Sequence, residues 1–135
     1  MDVEAFLLCD AATDQFGKLN VLGAFDGIAG PTTPLVHPQF SVALRIRFKK
    51  SELANHPFRI NIIDADGKSI LPRPFDGNVN VNIQGDSEFA VVNLIVNFRD
   101  TKFDSFGGYS IDLTMDGKQR GSLPLFVRPI PRQNA

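Results

Sequence analysis

From Phe40 to Lys49 the chain sets Phe40, Val42, Leu44, Ile46 and Phe48 on one side and Ser41, Ala43, Arg45, Arg47 and Lys49 on the other. A period of two held over such a length fits a half-buried strand and no helix. The pattern recurs along the chain. Val3, Ala5, Leu7, Cys9 and Ala11 alternate with Glu4, Phe6, Leu8 and Asp10, and Leu19, Val21, Gly23 and Phe25 follow on residues 18–26. Phe58, Ile60 and Ile62, then Val79, Val81 and Ile83, then Ala90 through Phe98 continue it. Tyr109 to Met115 and Leu123 to Val127 complete the series. No stretch of ten residues carries a 3.6-residue period. Turns recur every ~8–12 residues, the spacing of an antiparallel sandwich or barrel.

The segments between the strands refine this. Thr13 to Lys18 is a polar turn that makes residues 3–12 and 18–26 a hairpin. Residues 27–38, with two glycines and three prolines, read as a long loop. Pro72 and Pro74 exclude a central strand from residues 68–77. Asp116-Gly117 marks a tight hairpin. Gly107-Gly108-Tyr109 at the start of a late strand resembles the tyrosine corner of immunoglobulin-like domains. The expected fold is therefore all-β, a two-sheet immunoglobulin-like sandwich of seven to nine antiparallel strands. Residues 1–128 form one domain and residues 129–135 a tail.

At 135 residues, such a domain needs neither disulfide nor metal to fold. Twelve phenylalanines against no tryptophan and one tyrosine make the core one of Phe, Val, Ile and Leu. A net charge of -1 argues against nucleic acid or an anionic membrane as partner, since both require positive charge in excess. No apolar run reaches the ~18 residues of a membrane helix. The lone Cys9 and the acids in Met1-Asp2-Val3-Glu4 point to the cytoplasm rather than to secretion.

Three stretches, Phe6-Leu7-Leu8-Cys9-Asp10-Ala11-Ala12, Gly17-Lys18-Leu19-Asn20-Val21-Leu22-Gly23-Ala24-Phe25-Asp26, and Gly108-Tyr109 through Leu123-Pro124-Leu125-Phe126-Val127-Arg128-Pro129, are similar to a family of small bacterial β-sandwich proteins of unknown function. The resemblance spans nearly the whole chain and implies the sandwich. It implies no activity, cofactor or catalytic residue. Many members carry Gly-Gly-Trp where this chain has Gly23-Ala24-Phe25.

Nucleophilic or acid–base catalysis needs groups within hydrogen-bond reach of one another, and no such pair is readable. The chain is expected not to be an enzyme and to need no cofactor. Cys9 sits among apolar neighbours, where a thiol is inert. His37 and His56 fall in connections and read as solvated, with no second ligand at metal-binding spacing. Arg45, Arg47, Lys49 and Arg59 read as a basic stripe on one sheet, neutralised by the strand that carries Asp112. The loop carboxylates Asp26, Asp64, Asp66, Asp100 and Asp104 offer a calcium- or ligand-binding alternative, though Asp-Gly pairs are also ordinary turn chemistry.

One pattern rises above this background. Phe6, Leu8, Leu22, Phe89, Val91 and Ile95 fall opposite the presumed core positions of three strands. In an immunoglobulin-like order those strands are neighbours, and the residues merge into an apolar patch. The expected function is a non-catalytic binding or assembly module that uses this patch to meet a protein partner or a second copy. The competing expectation is that residues 27–38 or 68–77 fold over the face.

Overall fold

A computed structural model describes residues 1–83 and 85–131. Among the described residues nine strands form the fold: β1 Asp2–Gln15, β2 Lys18–Ala24, β3 Gly27–Gly30, β4 Leu35–Lys49, β5 Asn55–Ile63, β6 Phe75–Asn80, β7 Phe89–Phe103, β8 Gly107–Met115 and β9 Lys118–Pro129. A single 3-10 turn, Lys50–Glu52, links β4 to β5. The strands make two sheets, one of four in the order β2-β1-β4-β7 and one of five in the order β3-β9-β8-β5-β6. The chain is a two-sheet β-sandwich. No helix among the described residues is long and apolar enough to cross a membrane.

The core lies where the alternation of β4 places it. Phe40, Val42, Leu44, Ile46 and Phe48 are fully buried against Ile60, Ile62, Ile111, Leu113, Met115 and Leu125 of the opposite sheet. Phe40 stacks on Phe98 with ring centroids 5.1 Å apart.

β1 departs from its predicted faces because its period slips once. Val3 lies opposite Ile46 but Ala5 lies opposite Arg45, so Glu4 is the extra residue of a β-bulge. Beyond it every side chain changes face. Phe6 and Leu8, opposite Leu44 and Val42, turn into the sandwich, and Leu7 turns outward. The Phe6 ring lies over Gly121 of β9, where an added Cβ would come within 2.8 Å of it. That close approach seals the seam between the two sheets.

Residues 27–38 are not a free loop. Gly27–Gly30 is strand β3, paired in parallel with Phe126 to Pro129 of β9, and β4 already begins at Leu35. In the irregular region the strand is Phe75–Asn80 rather than residues 78–83, and it pairs with β5 at the edge of the five-stranded sheet. The tyrosine corner is present. Tyr109 is buried, its hydroxyl donates to the carbonyl of Ser105 at 2.6 Å, and its ring meets Phe103 edge-on at 5.0 Å. Of the predicted tail, Pro129 is the last residue of β9 and Ile130 N–H donates to Gly30 C=O, while residues 132–135 lie outside the described residues.

Candidate interaction surface

The six residues predicted to form one patch do not form it. Leu8 is 3% exposed and belongs to the core, and Phe6 packs against that core. The strands that carry them are not neighbours of β7, because β4 lies between β1 and β7. Leu22, 70% exposed, lies on the edge strand β2 beside Val21, which is also exposed. Phe89, Val91 and Ile95 do share the outer face of β7, with Phe89 exposed and the other two half-buried.

What covers this outer face is neither predicted loop. Cys9 is the last residue of β1 paired with β4. From Ala11 to Gln15 the strand pairs with β2 alone. The freed hairpin curls back over its own sheet. Its tip carbonyl, Gly17 C=O, accepts from Arg45 Nη1 at 3.3 Å and from Asn93 Nδ2 at 3.1 Å. Asn93 Nδ2 also donates to Asp14 Oδ1 at 3.3 Å. Arg45 and Asn93 face each other across β4 and β7, so the tip is pinned to both strands. Under the hairpin, Cys9, Ser41 and Ala43 have no exposed surface although they point away from the core. Cys9 is thus an enclosed thiol, donating to Ser41 C=O, and burial raises its pKa.

The tip turn has an unusual occupant. Phe16 and Gly17 both have positive φ, 53° and 76°, as a two-residue hairpin turn of the primed type demands. Glycine and asparagine suit that conformation, and a bulky aromatic does not. Phe16 is also 94% exposed, the most exposed large apolar side chain described. The tip ends at the Arg45–Asn93 row. Arg47–Val91 is two residues further along the sheet and Lys49–Phe89 two further again. Phe16, Val91 and Phe89 therefore border one open stretch of the outer face.

Charge frames this stretch. Glu4, the bulge residue, accepts from Arg45 at 3.2 Å and from Arg47 at 2.9 Å. The hydrogen bond from Arg47 is the main reason its carboxyl pKa is lowered. The Arg47 guanidinium lies 5.6 Å from the centre of the Phe89 ring. The predicted basic stripe is thus split. Arg59 is on the other sheet, paired to Asp76 at 2.7 Å, and Asp112 accepts from Ser110 and Ser122 instead of from arginine. Counting 18–26 as the second framework strand puts 39–49 third, beside the Asp112 strand, whereas β4 pairs with β1 and β7 in the other sheet.

The histidines are not solvated loop residues either. His56 is buried in β5 against Phe48, with Nδ1 2.7 Å from Asp116 Oδ2 and Nε2 2.7 Å from the Glu52 carbonyl. His37 is a half-buried β4 residue between the rings of Phe25 and Phe40. Asp64 Oδ1 accepts from the backbone of Asp66 and Lys68, closing its own turn. Asp104 lies 3.7 Å from Lys102. Among the described residues no group of three His, Cys, Asp or Glu side chains is placed to hold a metal ion.

The chain belongs to a family of unknown function, DUF6941, whose model matches residues 4–128. No curated protein matches it.

Proposed function

We propose that this chain is a non-catalytic binding module that joins a protein partner through the outer face of the four-stranded sheet. The observation that carries the reading is Phe16. An aromatic ring left in water is unfavourable by roughly 25 cal/mol per Å2, and a bulky residue at positive φ adds about 1–2 kcal/mol. Both costs fall on one residue, and two side chains of the sheet hold that residue's turn in place. Exposed aromatics with neighbouring arginine are the usual anchors of protein interfaces. Val91, Phe89 and Arg47 supply the surrounding contact surface.

The same reading assigns the sandwich to the immunoglobulin-like kind. In support, β1-β4-β7 faces β9-β8-β5-β6, which matches the order A-B-E against G-F-C-C′, and the tyrosine corner opens the F-like strand. The buried, unpaired thiol of Cys9 fits a reducing compartment such as the cytoplasm.

Affinity capture from the native host, with wild type and a Phe16→Asp variant as baits, tests the module. Aspartate tolerates positive φ, so the turn is kept. A partner bound by the wild type should bind the variant about 30-fold more weakly, the ~2 kcal/mol of an interface anchor. Equal capture by both baits would remove the outer face from the function.

A further inference from the structure

We infer that the free edge of β7 is the site at which a second copy of this chain adds its own β7. This goes beyond the outer-face reading and does not depend on it. The sheets have four edge strands, β2, β7, β3 and β6. Three carry the features that normally prevent edge pairing. β2 has seven residues, begins at Lys18, contains Gly23 at positive φ and is curled back over the sheet. β3 has four residues and stops before Pro31. β6 has six and carries Asp76 and Gly77. β7 has fifteen, and residues 89–98 contain no charge, no proline and no glycine.

The backbone of this edge is open. Lys50 N–H donates to Glu88 C=O at 3.1 Å, and the register from Lys49–Phe89 through Phe40–Phe98 runs without a shift. Alternation in an antiparallel pair then turns the even-numbered residues of β7 toward β4. Val91, Asn93 and Ile95 present their N–H and C=O groups outward. Among the described residues no backbone hydrogen bond reaches them. On this edge only the Phe89 carbonyl is taken, by Ser87 Oγ at 2.9 Å. The inward side chains of the same stretch, Ala90, Val92 and Leu94, pack on the core yet remain partly exposed, so the flank of the sandwich is unfinished here.

The occupant that fits is β7 itself. A two-fold axis at Asn93 sets Val91 opposite Ile95 of the second copy and Val92 opposite Leu94 of the second copy, with the two Asn93 residues face to face. Ala90 meets Val96, Val92 meets Leu94 and Val91 meets Ile95, while Phe89 falls opposite Asn97 at the ends, and no like charges oppose each other within residues 89–97. The outward groups of Val91, Asn93 and Ile95 then fall in hydrogen-bonded pairs. Such an axis closes the assembly at two copies and leaves no further β7 edge open. It also puts both outer faces, each with its Phe16, on the same side of one continuous sheet.

Sedimentation of the full chain across concentration, with amide hydrogen exchange read residue by residue, tests this. The expected result is a dimer in which the Val91, Asn93 and Ile95 amides are protected. Those amides should exchange freely on dilution, while those of Val92, Leu94 and Val96 stay protected throughout. A monomer at every concentration, a dimer with the Val91, Asn93 and Ile95 amides exposed, or protection independent of concentration would each overturn it. Phe16→Asp separates the two proposals. It should leave the dimer intact, and its dissociation would show that the outer face, not the edge, holds the copies.

Discussion

The guanidinium of Arg45 donates to the carbonyl of Gly17 at 3.3 Å, and so fastens the tip of a hairpin to the face of the sheet from which that hairpin springs. Arg45 is itself held by Glu4 at 3.2 Å and by Asn93 Oδ1 at 3.1 Å. The bulge residue, the sheet and the tip are thus one polar network on an exposed surface.

Cutting that network should loosen the hairpin and leave the sandwich folded. Asn93→Ala removes the donor to Gly17 and Asp14 and the acceptor for Arg45. The expected loss is about 1–2 kcal/mol by urea unfolding, since each of the three partly exposed hydrogen bonds contributes at the low end of the usual range. Limited proteolysis should shift to residues 13–19. Unchanged cleavage there would mean that packing, not these bonds, holds the tip.

Phe16 predicts a conflict between stability and binding. Replacing it by asparagine, which accepts positive φ, should raise stability by about 1 kcal/mol, measured as a higher urea midpoint at unchanged slope. The same variant should lose partner affinity. A variant that is no more stable would show that the wild-type ring gains compensating contacts on the sheet.

Much of this was legible in the sequence, for identifiable reasons. β4 obeys its alternation from Phe40 to Lys49 because nothing interrupts its pairing with β7, and its faces are as the pattern says. Alternation alone puts Phe6 and Leu8 on the wrong face because a bulge is one unpaired residue, and Glu4 looks like any polar residue of an alternating strand. The hairpin over Cys9, Ser41 and Ala43 was not legible, since its fastening joins Gly17 to residues 28 and 76 positions away. A signal existed all the same: a small apolar residue, Ala43, at an outward position between Ser41 and Arg45, and a phenylalanine before glycine in a turn.

The tyrosine corner gives the third prediction. Tyr109→Phe keeps the ring against Phe103 and removes only the hydroxyl that donates to Ser105 C=O and accepts from Ser105 N–H. The expected loss is about 1 kcal/mol, with no change in fold by circular dichroism. A loss above about 3 kcal/mol would mean that the corner organises the whole β7–β8 connection and not one bond.

His56 gives the last. Its ring nitrogens both face acceptors, Asp116 Oδ2 and the Glu52 carbonyl, each at 2.7 Å. Only the imidazolium can donate to both at once. Burial opposes that charge, but the Glu52 carbonyl and the Asp116 carboxylate outweigh it, and the pKa stands above the ordinary 6.5. The folded chain therefore holds the proton to higher pH than the unfolded chain does. The resulting stability is fully present below the unfolded value and is lost as pH rises through the folded one. Asp116 occupies a turn position at φ 55°, which asparagine also tolerates, so Asp116→Asn removes the charge and keeps the hairpin. The stability gap between wild type and Asp116→Asn should be widest below pH 6.5 and should narrow as pH rises above it. The His56 ring resonance, followed by NMR, should titrate above 6.5 in the wild type and at lower pH in the variant. A gap that stays constant with pH would mean that His56 is neutral in the fold and that only one ring nitrogen donates.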